Sequence, residues 1–470
     1  MAHESRPEDG QFGLTTEITL PKLNADTDPA PPAVAASCIR CVLAVILIVI
    51  GSVLVASVVD HVAWSAKGYE PSPYNGSTLR SLRETARPGI STADSWNPMN
   101  EALLVARSAD GDRLYQRLFF EARIKFQYPP TSLVYFAVLE PLGLTSPNTL
   151  DLINFAVFAI GCVSFAGLVL LLLSPSVRPA PPRHWMLAAL LVLAAVLYYP
   201  SVQALKLGQI QVWINTLFVG ACIAWLRGAK GTAGAMLALA ATIKPQLGIF
   251  LVWAVLWREW RFLKGFLMAG LPVGIISLLL FGVPNHIAYL EVLSFLSKHG
   301  EAYFANQSVN GLVHRAFGNG INLRSDNTLF APVDARVIAA TYVTSLILLA
   351  IALAPALKAG QRRPGIVDFA IMSLCATIAS PIAWEHHYGV LLPLAGIALV
   401  LLCTLAAHRV ALGVLTVSWV LTANYLPVVN HLSDTWLNFI QSYLFFAALM
   451  LLGVLVYLRR QIETGAVKAC

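Results

Sequence analysis

Polar side chains set into apolar stretches are where this chain could do chemistry. Lys244 is the sharpest. It ends the run Ala238-Leu239-Ala240-Ala241-Thr242-Ile243 and is followed by Pro245 and Gln246. An ammonium at that depth calls for an anion, and a phosphate would suit a compact point charge. A snorkelling lysine or a buried ion pair would give the same pattern. Glu385-His386-His387-Tyr388 forms a second cluster at a turn between apolar runs. Adjacent histidines do not share a helical face at the i,i+4 spacing of common metal sites. Hydrogen bonding to a sugar or phosphate and a plain interfacial cluster are therefore favoured over metal binding. Gln209, Gln211 and Asn215 place amides at the mouth of a helix, with Gln211 and Asn215 on one face. Amides both donate and accept, which suits sugar hydroxyls, and they equally suit bonds between neighbouring helices. Tyr128, Asn310 and Arg315 complete this polar set. Asp94 and Asp60 are the acidic candidates near the first apolar run. Either could take a proton from an acceptor hydroxyl, and either could be a helix cap.

The elements that must position these groups are membrane helices. The chain has 470 residues, 57% hydrophobic and 12% charged, with a mean hydropathy of +0.68. Soluble domains are about a quarter charged. The apolar residues come in runs of about 18 or more, enough to cross about 30 Å of hydrocarbon as helices. Strand-like alternation is absent, and helices satisfy their own backbone in lipid. The fold expected is therefore an all-α polytopic membrane protein. The net charge of +7 does not point to nucleic acid, because Lys and Arg lie in short connections between apolar runs and report orientation.

Those basic connections hold Arg178 and Arg183, Arg227 and Lys230, Arg258 to Lys264, Lys358 to Arg363, Arg409, and Arg459 with Arg460. The positive-inside rule places them in the cytoplasm. Alternation then puts 60–127, 201–208, 283–332, 384–388 and 427–435 outside, where the polar set gathers. The scheme predicts about 12 spans with both termini inside. It requires 231–257 to be a bent hairpin with Lys244-Pro245 near its outer apex, Pro245 supplying the break. It also requires Tyr128–Leu144 to be re-entrant or interfacial.

Residues 1–36 are polar, acidic and Pro-rich and predict a disordered cytoplasmic tail. Residues 37–460 form one membrane domain, and 461–470 a second cytoplasmic tail. Within 97–122, Met99, Leu103, Leu104, Leu114, Leu118 and Phe119 have helical spacing, which predicts amphipathic surface helices in the first outer loop. The seven cysteines offer no disulfide framework. Cys162, Cys222, Cys375 and Cys403 lie in apolar runs as small core residues, and Cys38 with Cys41 forms a lone C-x-x-C at a membrane edge.

Several pieces occur together and in order: Asp94, Ala102, Gly111, Leu114-Tyr115, Tyr128-Pro129-Pro130 and Pro141-Leu142. Gly208 to Asn215, Lys244-Pro245-Gln246, Asn306-Gln307-Ser308 with Arg315, and Ser380 to His387 follow. Over about residues 60–430 the set resembles glycosyltransferase family 87, bacterial membrane enzymes that include polyprenyl-phosphate-mannose mannosyltransferases and related arabinofuranosyltransferases. The resemblance implies a glycosyltransferase C-type bundle in the inner membrane. It also implies a polyprenyl-phosphate sugar donor at the outer face, and an aspartate of the first outer loop as general base. Asp94 matches that position through the spacing to Gly111, Tyr115 and Tyr128-Pro129-Pro130. The family's acidic residue usually follows the first span closely, where Asp60 sits, whereas Asp94 lies about 34 residues beyond it.

The function expected is inverting transfer of a sugar, mannose first and arabinofuranose next, to a glycolipid or polysaccharide acceptor. Asp94 is the expected base. Lys244, Gln246, His386, His387 and Arg315 are expected at the donor. Tyr128, Gln209, Gln211, Asn215, Asn310 and Glu385 are expected at sugar or acceptor. No metal and no cofactor is expected. A secondary transporter or lipid flippase is the alternative, since Pro- and Gly-broken helices with buried polar residues also suit transport. A repeated half is not evident, and the polar set is one-sided. A structural scaffold leaves the concentration of Lys, His, Gln and Asn at outer ends unexplained.

Overall fold

The structure is a computed structural model that describes residues 32–67, 76–85, 91–173, 182–324, 326, 328–358, 360, 362–404 and 408–464. The predicted N-terminal tail falls almost entirely outside the described residues, as do Arg178 and most of the C-terminal tail. The described chain is helical, with no strand beyond a single antiparallel bridge between Asn306 and Trp384.

Helix α1 (Pro32–Lys67) opens the fold. The segment that follows carries α2 (Thr78–Thr85) and α3 (Trp96–Ala106), and α4 (Leu133–Leu139) lies beyond it. Next come α5 (Pro147–Leu172), α6 (Arg183–Val196), α7 (Tyr199–Lys206), α8 (Gln211–Leu226), α9 (Lys230–Ile243) and α10 (Ile249–Leu256). The long α11 (Trp260–His299) leads to the short α12 (Val309–Ala316). Helices α13 (Ala335–Lys358), α14 (Ile366–Ile378), α15 (Leu391–Thr404), α16 (Arg409–Ala423) and α17 (Tyr443–Glu463) close the bundle.

Among the described residues, six helices are long and apolar enough to cross a membrane: α1, α5, α11, α13, α15 with its preceding turn, and α17. A seventh span results if α6 and α7, bent by 55° at their junction, are taken together. Five further apolar helices, including α8, α9, α14 and α16, are shorter. Helix α4 itself has 7 residues, flanked by 3-10 turns at Pro130–Ser132 and Glu140–Leu142, and this segment is not among the candidate spans.

Burial sorts the bundle into a lipid-facing shell and a dry centre. Leu279, Met268 and Ile275 on α11, Val163 and Leu152 on α5, and Leu346 on α13 project outward. All 13 residues of α14 are buried, and α15 is almost as enclosed. Because lipid is as apolar as leucine, helix association at that centre relies on close packing. The stacked Trp225 and Phe369 rings, 5.0 Å apart, show it.

Two breaks matter for the site. Helix α9 stops at Ile243, and Lys244 is extended (φ −126°, ψ 97°) before Pro245 opens a 3-10 turn into α10. Pro245 lacks the amide that would continue the helix. Helix α11 kinks at Gly282, whose φ of +71° lies outside the helical range. Its arm from Val283 onward supports the segment around Gly111–Leu114. Asn285 there accepts from Leu114 N at 3.1 Å and donates to Gly111 O at 2.7 Å.

Three expectations change in detail. The connection 201–208 is no loop: α7 is buried along its whole length, with Lys206 ion-paired to Glu84 of α2 at 2.8 Å. Helical character within 97–122 is shared between α3, a 3-10 turn and a π-helical turn at Gln116–Glu121. Met99, Leu103, Leu114, Leu118 and Phe119 are buried there, but Leu104 is 66% exposed because it sits off that face. Cys403 does not stand alone in the core. Its thiol contacts Cys41 at 2.7 Å, joining α15 to α1 at the C-x-x-C pair.

Candidate active site

The first wall is the turn Ser91–Ser95, which docks on the start of α8. Asp94 N donates to Leu207 O at 2.9 Å and Ser95 N to Gly208 O at 3.2 Å. Gly208 adopts φ +61°, and a Cβ there would collide with Ser91 Oγ. Glycine is therefore what lets the two segments meet. Ser95 Oγ accepts from Ile210 N at 3.0 Å and donates to Gln209 Oε1 at 2.8 Å. Tyr128 OH closes a triangle with them, 2.8 Å from Ser95 Oγ and 3.1 Å from the same Gln209 oxygen. Trp96 Nε1 donates to Asp151 at 2.7 Å, tying α3 to α5. Ala93 carries φ +52°, a non-glycine residue held left-handed next to Asp94. Such strain persists only where surrounding contacts over-determine it.

Asp94 itself is largely enclosed. Burial pushes its carboxyl above the usual carboxylate range, and hydrogen bonds from Thr92 and Gln209 oppose that shift. Asp60 is placed differently. Its carboxylate accepts from Ser77 N at 3.1 Å, and it does not line the cavity that Asp94 faces.

The second wall is the break after α9. Lys244 Nζ is buried and has no hydrogen-bond partner among the described residues. It lies within electrostatic range of His386 and His387. An ammonium enclosed without an anion is costly, and it marks the place where an anion would be stabilised.

The third wall joins two loops. Glu385 N donates to Ala305 O at 3.1 Å, and Gln307 N donates to Ala383 O at 2.8 Å. Asn306 Oδ1 accepts from Ala383 N at 3.0 Å, and Tyr388 OH donates to Gln307 O. This pairing fixes the Glu385-His386-His387 turn. Glu385 Oε2 accepts from Tyr199 OH at 2.9 Å, and its Oε1 is buried and unpaired. His387 Nδ1 accepts from Trp384 N at 3.2 Å, which leaves Nε2 to carry the ring proton.

The three walls enclose a cavity of about 930 Å³, at the upper end of the range for small-molecule sites. Asp94, Tyr128, Gln209, Lys244, Gln246, Glu385, His386 and His387 line it. Asn215, Gln211, Asn310 and Arg315 do not. Gln211 Nε2 donates to Asn215 Oδ1 at 2.8 Å, the contact that i,i+4 spacing predicts. Asn310 accepts from Glu301 N at 3.2 Å. Arg315, 2% exposed, donates to the carbonyls of Ala302, Tyr303 and Asn306 and to Ser442. These four residues hold the walls in shape.

The structure also brings in residues that sequence reasoning missed, among them Ser95, Thr92, Arg123, Lys125 and Trp384. Lys125 pairs with Glu301 at 3.1 Å and lies over the Phe330 ring, latching the 300–330 loop to the approach of Tyr128. Arg-Ile-Lys at 123–125, basic residues just before Tyr128-Pro129-Pro130, was the available signal for two of them. Ser95 gave none, since its partners lie more than 30 residues away. Among the described residues, no group of three or more His, Cys, Asp or Glu is arranged to hold a metal.

The model of glycosyltransferase family 87 matches residues 126–381, more than half of the chain. The chain belongs to glycosyltransferase family 87. It is therefore a membrane glycosyltransferase, acting between a sugar donor and an acceptor. The matched stretch contains Tyr128, Gln209, Lys244 and the 300–315 loop. Asp94 and the Glu385-His386-His387 turn fall outside it, and the cavity joins them to this family 87 core. No curated protein sequence matches the chain significantly.

Proposed function

We propose that this glycosyltransferase moves a sugar, with inversion, from a polyprenyl-phosphate donor to a glycolipid or polysaccharide acceptor at the outer face of the bacterial inner membrane. The observation that carries the reading is one cavity faced by an enclosed carboxylate, Asp94, and an unpartnered ammonium, Lys244. Asp94 takes the proton from the acceptor hydroxyl as its oxygen attacks the anomeric carbon. The bond from that carbon to the phosphate oxygen breaks, and the phosphate leaves with the electron pair. Lys244 offsets the charge that develops on the leaving group, with His386 and His387 beside it as hydrogen-bond donors and Gln246 at the cavity edge. A phosphate leaving group needs little protonation, so one carboxylate is enough. Tyr128 and Glu385 are placed to meet sugar or acceptor hydroxyls. Mannose is the sugar we favour and arabinofuranose the second reading.

The proposed topology follows the same asymmetry. Six helices, or seven with the bent pair, are long and apolar enough to span, and taking the five shorter apolar helices as spans too would give the twelve that the charge pattern predicts. Helix α8 leads from Gln209 at the cavity to Leu226, its 16 residues rising about 24 Å. Arg227 and Lys230 therefore lie at the far end from the cavity, which supports an outward-facing site. A cavity gathered at one end favours group transfer over alternating access.

The direct test supplies purified protein in detergent or nanodiscs with polyprenyl-phosphate mannose, the arabinofuranose analogue and candidate lipid acceptors. Transfer of labelled sugar to acceptor with inverted anomeric configuration is expected. Carrier-independent uptake of either substrate across a proteoliposome, without product, would replace the reading with transport.

A further inference from the structure

The C-x-x-C pair of α1 lines no wall of the cavity, and the fold gives it a third cysteine. Cys38 and Cys41 stand three residues apart on one face of α1. Cys403, 362 residues from Cys41 in sequence, lies near the end of α15, which packs along α1. Its thiol meets that of Cys41 at 2.7 Å, and both are free cysteines. Cys41 and Cys403 are also partly exposed, whereas Cys38 is 2% exposed and packs into the core. The remaining described cysteines, Cys162, Cys222 and Cys375, are buried. Arg40, exposed beside Cys41, and Arg409, which opens α16, put the contact at the basic end of the bundle. The span that ends at Thr404 begins at Glu385 on the cavity wall, and its 20 residues hold the thiols on the order of 25–30 Å from that wall.

We propose that Cys41 and Cys403 are a redox modification site, at which a low-molecular-weight disulfide oxidises the two thiols to a bond that staples α1 to α15. The Cys41 thiolate attacks one sulfur of the small disulfide, and the other sulfur leaves as a thiolate. The Cys403 thiolate then attacks the Cys41 sulfur of the mixed disulfide and expels the second small thiolate. The two protons that the cysteines give up end on the two departing thiols. One disulfide is consumed and one is formed, so the exchange balances without a further oxidant. Cys41 is the partner and not Cys38, because it combines contact with Cys403 and access to a small reagent. The charge pattern assigns this end to the cytoplasm, where thiols are kept reduced, so the bond forms when that compartment turns oxidising. No residue of α1 or of α15 lines the cavity. The bond therefore acts on the packing of the bundle and not on the site, and it is independent of the roles of Asp94 and Lys244.

The test treats purified wild-type protein in nanodiscs with oxidised glutathione, then unfolds it, blocks the remaining thiols with N-ethylmaleimide and maps the peptides by mass spectrometry. Cys41 and Cys403 lose maleimide labelling together, by about tenfold or more, and appear as one linked pair that dithiothreitol releases. The chain stays monomeric on a non-reducing gel. Cys162, Cys222 and Cys375 keep their labelling, since burial shields them. The Tm of the oxidised protein rises, because the staple restrains separation of α1 from the bundle. Cys41→Ser and Cys403→Ser each trap glutathione on the thiol that remains and gain no Tm. Unchanged labelling, a glutathione adduct on wild-type Cys41 or Cys403 without a linked pair, a bond to Cys38 in its place, or a bond between two chains would each overturn the proposal. A linked pair that leaves Tm unmoved overturns the staple.

Discussion

Asp94 and Lys244 carry opposite electrostatic costs into one cavity. The ionised Asp94 is disfavoured by burial, so its carboxyl titrates above the usual range. A base must be deprotonated, so turnover is expected to fall as pH drops through that raised value, earlier than an exposed aspartate would allow. A pH–rate profile checks this. Replacing Asp94 by Asn should lower kcat by about 10²- to 10⁴-fold, the usual worth of a general base, with donor affinity nearly unchanged. The native state holds the Asp94 proton more tightly than the unfolded chain does. Stability from this group is therefore fully present below the unfolded value and lost as pH rises through the folded one. Asp94→Asn should accordingly raise Tm at neutral pH while abolishing activity, the pattern of a site that trades stability for function. Lys244→Ala should weaken donor binding by about 10- to 100-fold, as expected for one lost charge-assisted hydrogen bond. Equal Kd values for wild type and variant, measured by displacement of a labelled polyprenyl phosphate, would remove Lys244 from the donor site.

Among the elements, short irregular segments do most to shape the site. The Ser91–Ser95 turn is held to α8 only because Gly208 is left-handed and bare. Gly208→Ala should undock the turn and lower kcat at least tenfold, with little effect on expression, because the membrane helices on either side are untouched. Labelled-sugar transfer and yield after size exclusion read both effects. Arg315 acts on the opposite wall. Removing its guanidinium leaves three carbonyls of the 302–306 loop and Ser442 without their donor. Arg315→Ala should cost on the order of 3 kcal/mol and show as a clear loss of Tm in detergent. Arg315→Lys should not restore it, since a point charge cannot serve the same fork of acceptors.

For the whole molecule, the cavity and the basic connections sit at opposite ends of the helices. Arg362 marks the basic end, bridging Asp368 at 2.8 Å and Glu463 at 2.6 Å and so tying α14 to α17. With native cysteines replaced, a cysteine at Ala109 should react with an impermeant thiol reagent in intact cells, and one at Ala229 only after permeabilisation. Both positions are exposed, so reactivity reports sidedness and not burial. The reverse pattern would turn the cavity to the cytoplasm and exclude the outer-face donor.

Hydrophobicity and charge asymmetry were legible without coordinates, because lipid forces every spanning segment to be helical and the membrane potential and insertion machinery sort Lys and Arg to one side. The break at Lys244-Pro245 was equally legible, since proline ends a helix by its own geometry. So were the ordered motifs that place the chain in its family. Tertiary structure alone decided which polar residues share a cavity. Gln209 and Gln211 are two residues apart in sequence, yet one accepts from Ser95 and lines the cavity while the other bonds Asn215, because α8 begins between them and turns their side chains to different neighbours. Arg315 and Lys244 are both buried cations in the sequence pattern. One is satisfied by carbonyls of its own loop, and the other is left for an anion. Spacing to the downstream motifs favoured Asp94 over Asp60, and the docking of its turn on the left-handed Gly208 is what brings Asp94, and not Asp60, to the cavity wall. The docking of Asp94 and Ser95 on residues 207–210 joins segments more than 100 residues apart, and local spacing holds no record of it.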